Sequence, residues 1–213
     1  MILAAGLALV AVSATAQNPL ENVPLADVID VLVIDRELVA FDARSGGQRI
    51  EPLRRGESVV WKGVQGQVGV VITDQRVLAI AAGSGAWQRE DKRVDEILPT
   101  SAILGDRVAL VITSKRAIGF DGGSGNLLET SLGVHEVVLG SRTGENVAVV
   151  TTDRRALGLS PQVGGFFPTK LELGERVEAL DTSANMATLT TNRRVLIFRG
   201  PFGSWEEKRR RLR

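Results

Sequence analysis

The stretch VVITDQRVLAIAAGSGA, residues 70–86, occurs five times in variant form along the chain. It aligns without gaps with VLVIDRELVAFDARSGG from Val31, LVITSKRAIGFDGGSGN from Leu110, VVTTDRRALGLSPQVGG from Val149 and TLTTNRRVLIFRGPFGS from Thr188. One column holds the turn formers Asp35, Asp74, Ser114, Asp153 and Asn192, spaced 39 or 40 residues apart. A second column is glycine throughout: Gly46, Gly85, Gly125, Gly164 and Gly203. Two columns that keep one period over five units define a repeat architecture.

Each unit divides into short strands. Val68–Thr73 is apolar and β-branched without polar alternation, the pattern of a strand covered on both faces. Thr73-Asp74-Gln75-Arg76 is a turn signal, and Val77–Ile80 resumes the apolar pattern, which makes a hairpin. Gly83-Ser84-Gly85 is a second turn, after which Trp87 opens a more polar strand in a column with Gln48, Leu127, Phe166 and Trp205. A fourth strand precedes the motif, at Ser58–Trp61, Glu136–Leu139 and Arg176–Leu180; the first unit offers only Glu21–Leu25, interrupted by Pro24. Four strands fill the period, and no run outside residues 1–16 has sustained helical periodicity. The expected fold is therefore all-β, a β-propeller of five four-stranded blades. Small residues recur where neighbouring blades would approach, in the columns Gly69, Ala109, Ala148, Ala187 and Ala40, Ala79, Gly119, Gly158. The five blades are expected to close into a ring within one chain; the alternative is an open arc completed by another copy or a partner.

Around the repeats lie two other segments. Ile2–Val12 is apolar and is followed by the small-x-small pattern Ala14-Thr15-Ala16, so residues 1–16 read as a secretory signal peptide. Residues 17–207 form the propeller, and Lys208, Arg209, Arg210, Arg211 and Arg213 make residues 208–213 a basic tail. The expected location is the bacterial periplasm or the exterior.

Composition excludes several chemistries. The 213 residues carry 26 Lys+Arg against 25 Asp+Glu, too balanced for a dedicated nucleic-acid binder. With no cysteine there is no disulfide framework, thiolate metal site or cysteine nucleophile, and one histidine removes polyhistidine zinc sites. No tyrosine and 4% aromatics leave few stacking platforms.

The motif resembles the repeats of quinoprotein-type (PQQ-like) β-propellers, relatives in shape of the WD40 propellers. The resemblance is carried by a strand, a Thr-Asp-x-Arg turn, a strand and Phe-Asp-x-x-Ser-Gly, seen at Val39-Ala40-Phe41-Asp42 with Ser45-Gly46 and at Ile118-Gly119-Phe120-Asp121 with Ser124-Gly125. It covers roughly residues 20–208. Quinone-binding members have a larger ring, a metal ion and an acidic catalytic residue over the channel. Five units without vicinal cysteines or an acid–amide cluster depart from that pattern and are similar to the non-catalytic envelope scaffolds of the family. The expectation is no enzyme, no cofactor and no metal.

His135, the lone imidazole, starts a strand and has no counterpart in other units. Asp35, Asp42, Asp74, Asp121 and Asp153 recur as turn residues, which explains them structurally before any glycosidase role. Asp121-Gly122-Gly123-Ser124-Gly125-Asn126 departs from the calcium-loop pattern. The hairpin turns place Arg36, Arg76, Lys115, Arg116, Arg154, Arg155, Arg193 and Arg194 at equivalent points. In a propeller these lie on one face, predicting a cationic crown that docks an acidic envelope protein or anionic polymer. The leading expectation is a non-enzymatic, protein-binding scaffold without direct nucleic-acid contact. It would touch a membrane only through a partner or a retained N-terminal segment. The alternatives are a lectin-like propeller and a small lyase or hydrolase.

Overall fold

The computed structural model describes residues 27–209. The first blade comprises β1 (Ile29–Ile34), β2 (Glu37–Asp42) and β3 (Gln48–Pro52), and the second β4 (Val59–Gln65), β5 (Val68–Thr73), β6 (Arg76–Ala81) and β7 (Gln88–Asp91). The third holds β8 (Ile103–Leu104), β9 (Val108–Ile112), β10 (Arg116–Asp121) and β11 (Leu127–Ser131). β12 (Val138–Thr143), β13 (Ala148–Thr152), β14 (Arg155–Ser160) and β15 (Gly165–Lys170) form the fourth; β16 (Val177–Thr182), β17 (Met186–Thr191), β18 (Arg194–Arg199) and β19 (Ser204–Arg209) form the fifth. Every blade is an antiparallel meander, and the fold is an all-β propeller. Among the described residues four sheets have four strands and the first has three. The expected innermost strand of that first unit, Glu21–Leu25, lies outside the described residues, as does the signal-peptide segment.

Strand alternation decides which side chain meets which blade. Val68, Val70 and Ile72 point forward onto Ala109 and Val111 of the third blade, whereas Val71, Leu78 and Ile80 point back onto Ile29 and Val31 of the first. The small columns exist because of this contact. A Cβ on Gly119 would lie 2.4 Å from Leu159 Cδ2 of the next blade, and one on Gly158 2.5 Å from Phe198 Cδ2. At that separation the facing side chain must move, so glycine lets Leu159 and Phe198 sit where they do.

The columns break at the two ends. Asp30 stands where the other units have Gly69, Ala109, Ala148 and Ala187, and Ile197 stands where they have Ala40, Ala79, Gly119 and Gly158. Leu32 is 38% exposed, while its counterparts Val71 and Val150 are 0%. Consecutive blades pack together. Among the described residues the first blade leaves its outward face uncovered. Terminal units of stacked-repeat proteins carry such atypical outer faces because nothing stacks on them.

Two features mark the inner edge of the blades. Along one end of the blades the turns donate backbone bonds to one another: Val28 N–H to Gly66 O (2.8 Å), Gln67 to Asp106 (2.7 Å), Arg107 to Glu145 (2.8 Å) and Asn146 to Ala184 (2.8 Å). The innermost strands carry matching bulges, between Val59 and Trp61, Val138 and Gly140, and Val177 and Ala179. Bulges disrupt edge pairing, and these strands are free edges.

Candidate functional site

The upper rim is the end of the blades that bears the hairpin turns at Asp35, Asp74, Ser114, Asp153 and Asn192, together with the loops between blades. Its most regular feature is a buried ion pair. Arg76 Nε and Nη2 donate to Glu57 at 2.7 and 3.1 Å, and Nη2 also reaches Pro52 O of the preceding blade at 2.9 Å. Thr73 Oγ1 donates to the same carboxylate at 2.8 Å. Arg116 with Glu96 and Thr113, Arg155 with Glu136 and Thr152, and Arg194 with Glu175 and Thr191 repeat the arrangement. Each guanidinium also donates from Nη2 to a backbone carbonyl on the outer strand of the previous blade: Arg116 to Asp91 O, Arg155 to Ser131 O and Arg194 to Lys170 O. The unit is a staple between adjacent blades.

Charge follows geometry. Burial alone would raise the Glu136 and Glu175 carboxyls. Hydrogen bonds from Arg155 and Arg194, from backbone N–H groups and from threonine hydroxyls outweigh burial and hold both at about 2. Glu57 and Glu96 are lowered for the same reasons. These groups stay ionised and fully partnered, the opposite of a catalytic acid or base.

The eight predicted turn cations therefore divide. Arg76 and Arg116 are each 1% exposed and Arg194 is buried, so none of the three reaches a surface. Arg155 is engaged with Glu136, its side chain 26% exposed. This corrects the picture of an eight-cation crown: a guanidinium in this column is consumed by its glutamate. Arg36, Lys115, Arg154 and Arg193 are exposed. Arg193 pairs with Glu172 at 2.9 Å, Lys115 Nζ donates to Val94 O at 2.6 Å, and Arg36 donates to Arg54 O. Lys208 and Arg209, expected in the tail, form the end of β19 on the upper rim; Arg210, Arg211 and Arg213 lie outside the described residues.

Other candidates resolve as structure. His135 occupies the left-handed third position of an inter-blade turn (φ 59°), as Asp95, Gly56 and Gly174 do in theirs. Asp121 closes its turn by accepting from Gly123 N–H at 2.7 Å, and Asp42 does so from Arg44 N–H at 2.9 Å. No group of three or more His, Asp or Glu residues placed to hold a metal ion occurs among the described residues. Trp87 and Trp205 donate Nε1 to Arg49 O (3.0 Å) and Phe167 O (2.8 Å) of the neighbouring blade, which places both indoles in blade packing.

Sequence reasoning missed the glutamates. Glu57, Glu96, Glu136 and Glu175 recur with the same 39–40 residue period as the turn column, a signal open to inspection. It also missed the turn apices Val94, Val134 and Leu173, whose side chains stand free on the upper rim.

No protein-family model matches the chain, and no curated protein matches it. Solved propeller structures do, at low identity. Prp20p from Saccharomyces cerevisiae, described with its binding to Gsp1p and histones, is 9% identical over 80% of this chain and 55% of its own, with a TM-score of 0.43. The WD40 domain of SCAP from fission yeast is 10% identical over 89% of this chain and 57% of its own, with a TM-score of 0.36. A chain of the mitotic checkpoint complex is 11% identical over 96% of this chain and 73% of its own, with a TM-score of 0.37. The chain spans about half the length of the first two.

Proposed function

We propose that this protein is a non-enzymatic, protein-binding scaffold of a bacterial envelope, built on the non-catalytic pattern of quinoprotein-type repeats. The observation that carries the reading is the outward face of the first blade. Leu32 and Ile50 flank the buried Val39 in a row across β1, β2 and β3, and are 38% and 54% exposed. Ile34 continues it at 46% exposure. Inside the stack the equivalent surface is covered by another blade; here it faces outward as a rigid sheet, the kind of apolar patch that marks a protein interface. Asp30 and Glu37 flank the row, so the partner presents aliphatic side chains bordered by basic groups. The turn carboxylates are held by their own turns, which supports a binding role over a catalytic one. The export reading of residues 1–16 supports an envelope location.

The test is affinity capture from envelope extract with the intact chain, Leu32→Glu and Ile50→Glu. Both positions are exposed, so folding is expected to be unchanged. Capture of a protein partner is expected with the intact chain and is lost in both variants; capture that survives both substitutions overturns the reading.

A further inference from the structure

Val94, Val134 and Leu173 are apices of three turns with one geometry. The N–H groups of Arg93, Gly133 and Glu172 donate to the staple glutamates at 2.7, 2.6 and 2.7 Å. The glutamate N–H groups return to the carbonyls of the same residues at 3.1, 3.0 and 2.9 Å. The residue after each apex sits in the left-handed region: Asp95 at φ 55°, His135 at 59° and Gly174 at 74°. The buried glutamates thus hold three aliphatic side chains at one level on one rim, exposed by 83%, 80% and 96%. Ile97 and Val137 stand beside them, also exposed.

A cation accompanies every apex. Lys115 bonds the carbonyl of Val94 itself. Arg154 Nη1 lies 3.4 Å from where a Cβ on Gly133 would be, next to Val134. Arg193 pairs with Glu172, next to Leu173. In the remaining turn, Arg54–Glu57, the apex is Arg55. β19 also ends on this rim, where Arg209 lies opposite Arg194 in the strand register.

Protein interfaces bury contiguous, shape-complementary surface, whereas these apices are single convex tips separated by polar turns. Separated aliphatic tips, each with a basic neighbour, match a fluid interface that demands no shape complement and supplies phosphates beside hydrocarbon. We propose that the upper rim rests on an anionic lipid bilayer, with Val94, Val134 and Leu173 entering the headgroup–acyl boundary and Lys115, Arg154 and Arg193 at the phosphates. Asp95, Asp153 and Glu172 lie on the same rim and temper the attraction, so both aliphatic and cationic parts are required. This surface is separate from the first-blade face, and the two proposals stand or fall independently.

The chain has no cysteine, so single-cysteine labels are clean. The full chain carrying Val134→Cys or Leu173→Cys, labelled with an environment-sensitive fluorophore, is mixed with vesicles of phosphatidylcholine with or without phosphatidylglycerol. A blue shift is expected with the anionic vesicles at both positions and not at Gln162→Cys, on the opposite rim. The triple variant Val94→Ser, Val134→Ser, Leu173→Ser is expected to lose about tenfold or more in vesicle affinity with unchanged circular dichroism. A shift at Gln162, or equal vesicle affinity of triple variant and parent, overturns the proposal. So does a shift that only added envelope protein produces, which would make the rim a protein-docking surface.

Discussion

The first unit and the four that follow share a strand pattern but not a chemistry. Blades two to five each have Thr and Arg around the hairpin turn, locked to a buried glutamate and to a carbonyl of the blade before. The first unit has Ile34 and Glu37 in those places. Neither makes the staple: Ile34 has no hydroxyl, and Glu37 repeats the charge that the staple would have to bind. The difference follows position in the stack. A staple joins a blade to its predecessor, and among the described residues the first blade has none. Its turn residue Asp35 takes a left-handed conformation (φ 53°), whereas Asp74 accepts from Ser58 N–H at 2.9 Å. The same logic governs the small residues, which give way to Asp30 at one end and Ile197 at the other.

Acid breaks this contrast most broadly, because it acts on every staple at once. Glu136 and Glu175 titrate at about 2 in the fold, against 4.5 ordinarily. A carboxylate whose folded value is depressed contributes stability that is present above its unfolded value and lost as pH falls through the folded one. Stability is therefore expected to be level above about pH 5 and to fall steeply towards pH 2, read by urea unfolding at stepped pH. A flat profile over that range would contradict the staples.

Single substitutions sharpen it. Arg116→Leu strands Glu96 in the interior and is expected to cost about 3–5 kcal/mol in chemical denaturation. The mirror change in the first unit, Glu37→Arg, meets no buried glutamate–threonine pair and is expected to stay within about 0.5 kcal/mol. Equal effects would mean that the staple has no special weight. In the packing columns, Gly158→Val drives a side chain into Phe198 and is expected to cost about 1–3 kcal/mol. Ile197→Ala, on the outer face of the last blade, removes methyl groups that meet no further blade, and about 1 kcal/mol or less is expected from thermal unfolding.

Much of this was legible in one chain of letters. The period, the hairpins and the packing role of Gly69, Ala109, Gly119 and Gly158 follow from columns and turn chemistry, which are local. The exceptions Asp30 and Ile197 were equally visible, but their meaning depends on which face of a strand meets which neighbour. The basic column misled for a related reason. Read locally, Arg76 and Arg116 are turn cations beside an aspartate. Their partners Glu57 and Glu96 lie 19 and 20 residues upstream, and only folding brings them together.

The sequence by itself determined a five-unit, all-β repeat of four-strand period, because turn formers and β-branched runs act over a few residues. Tertiary structure decided which arginines are buried, which aliphatic residues stand free at turn tips and, among the described residues, that the first blade's outward face stays uncovered. Those outcomes depend on distances between blades, and a side chain's environment there is set by residues some 40 positions away.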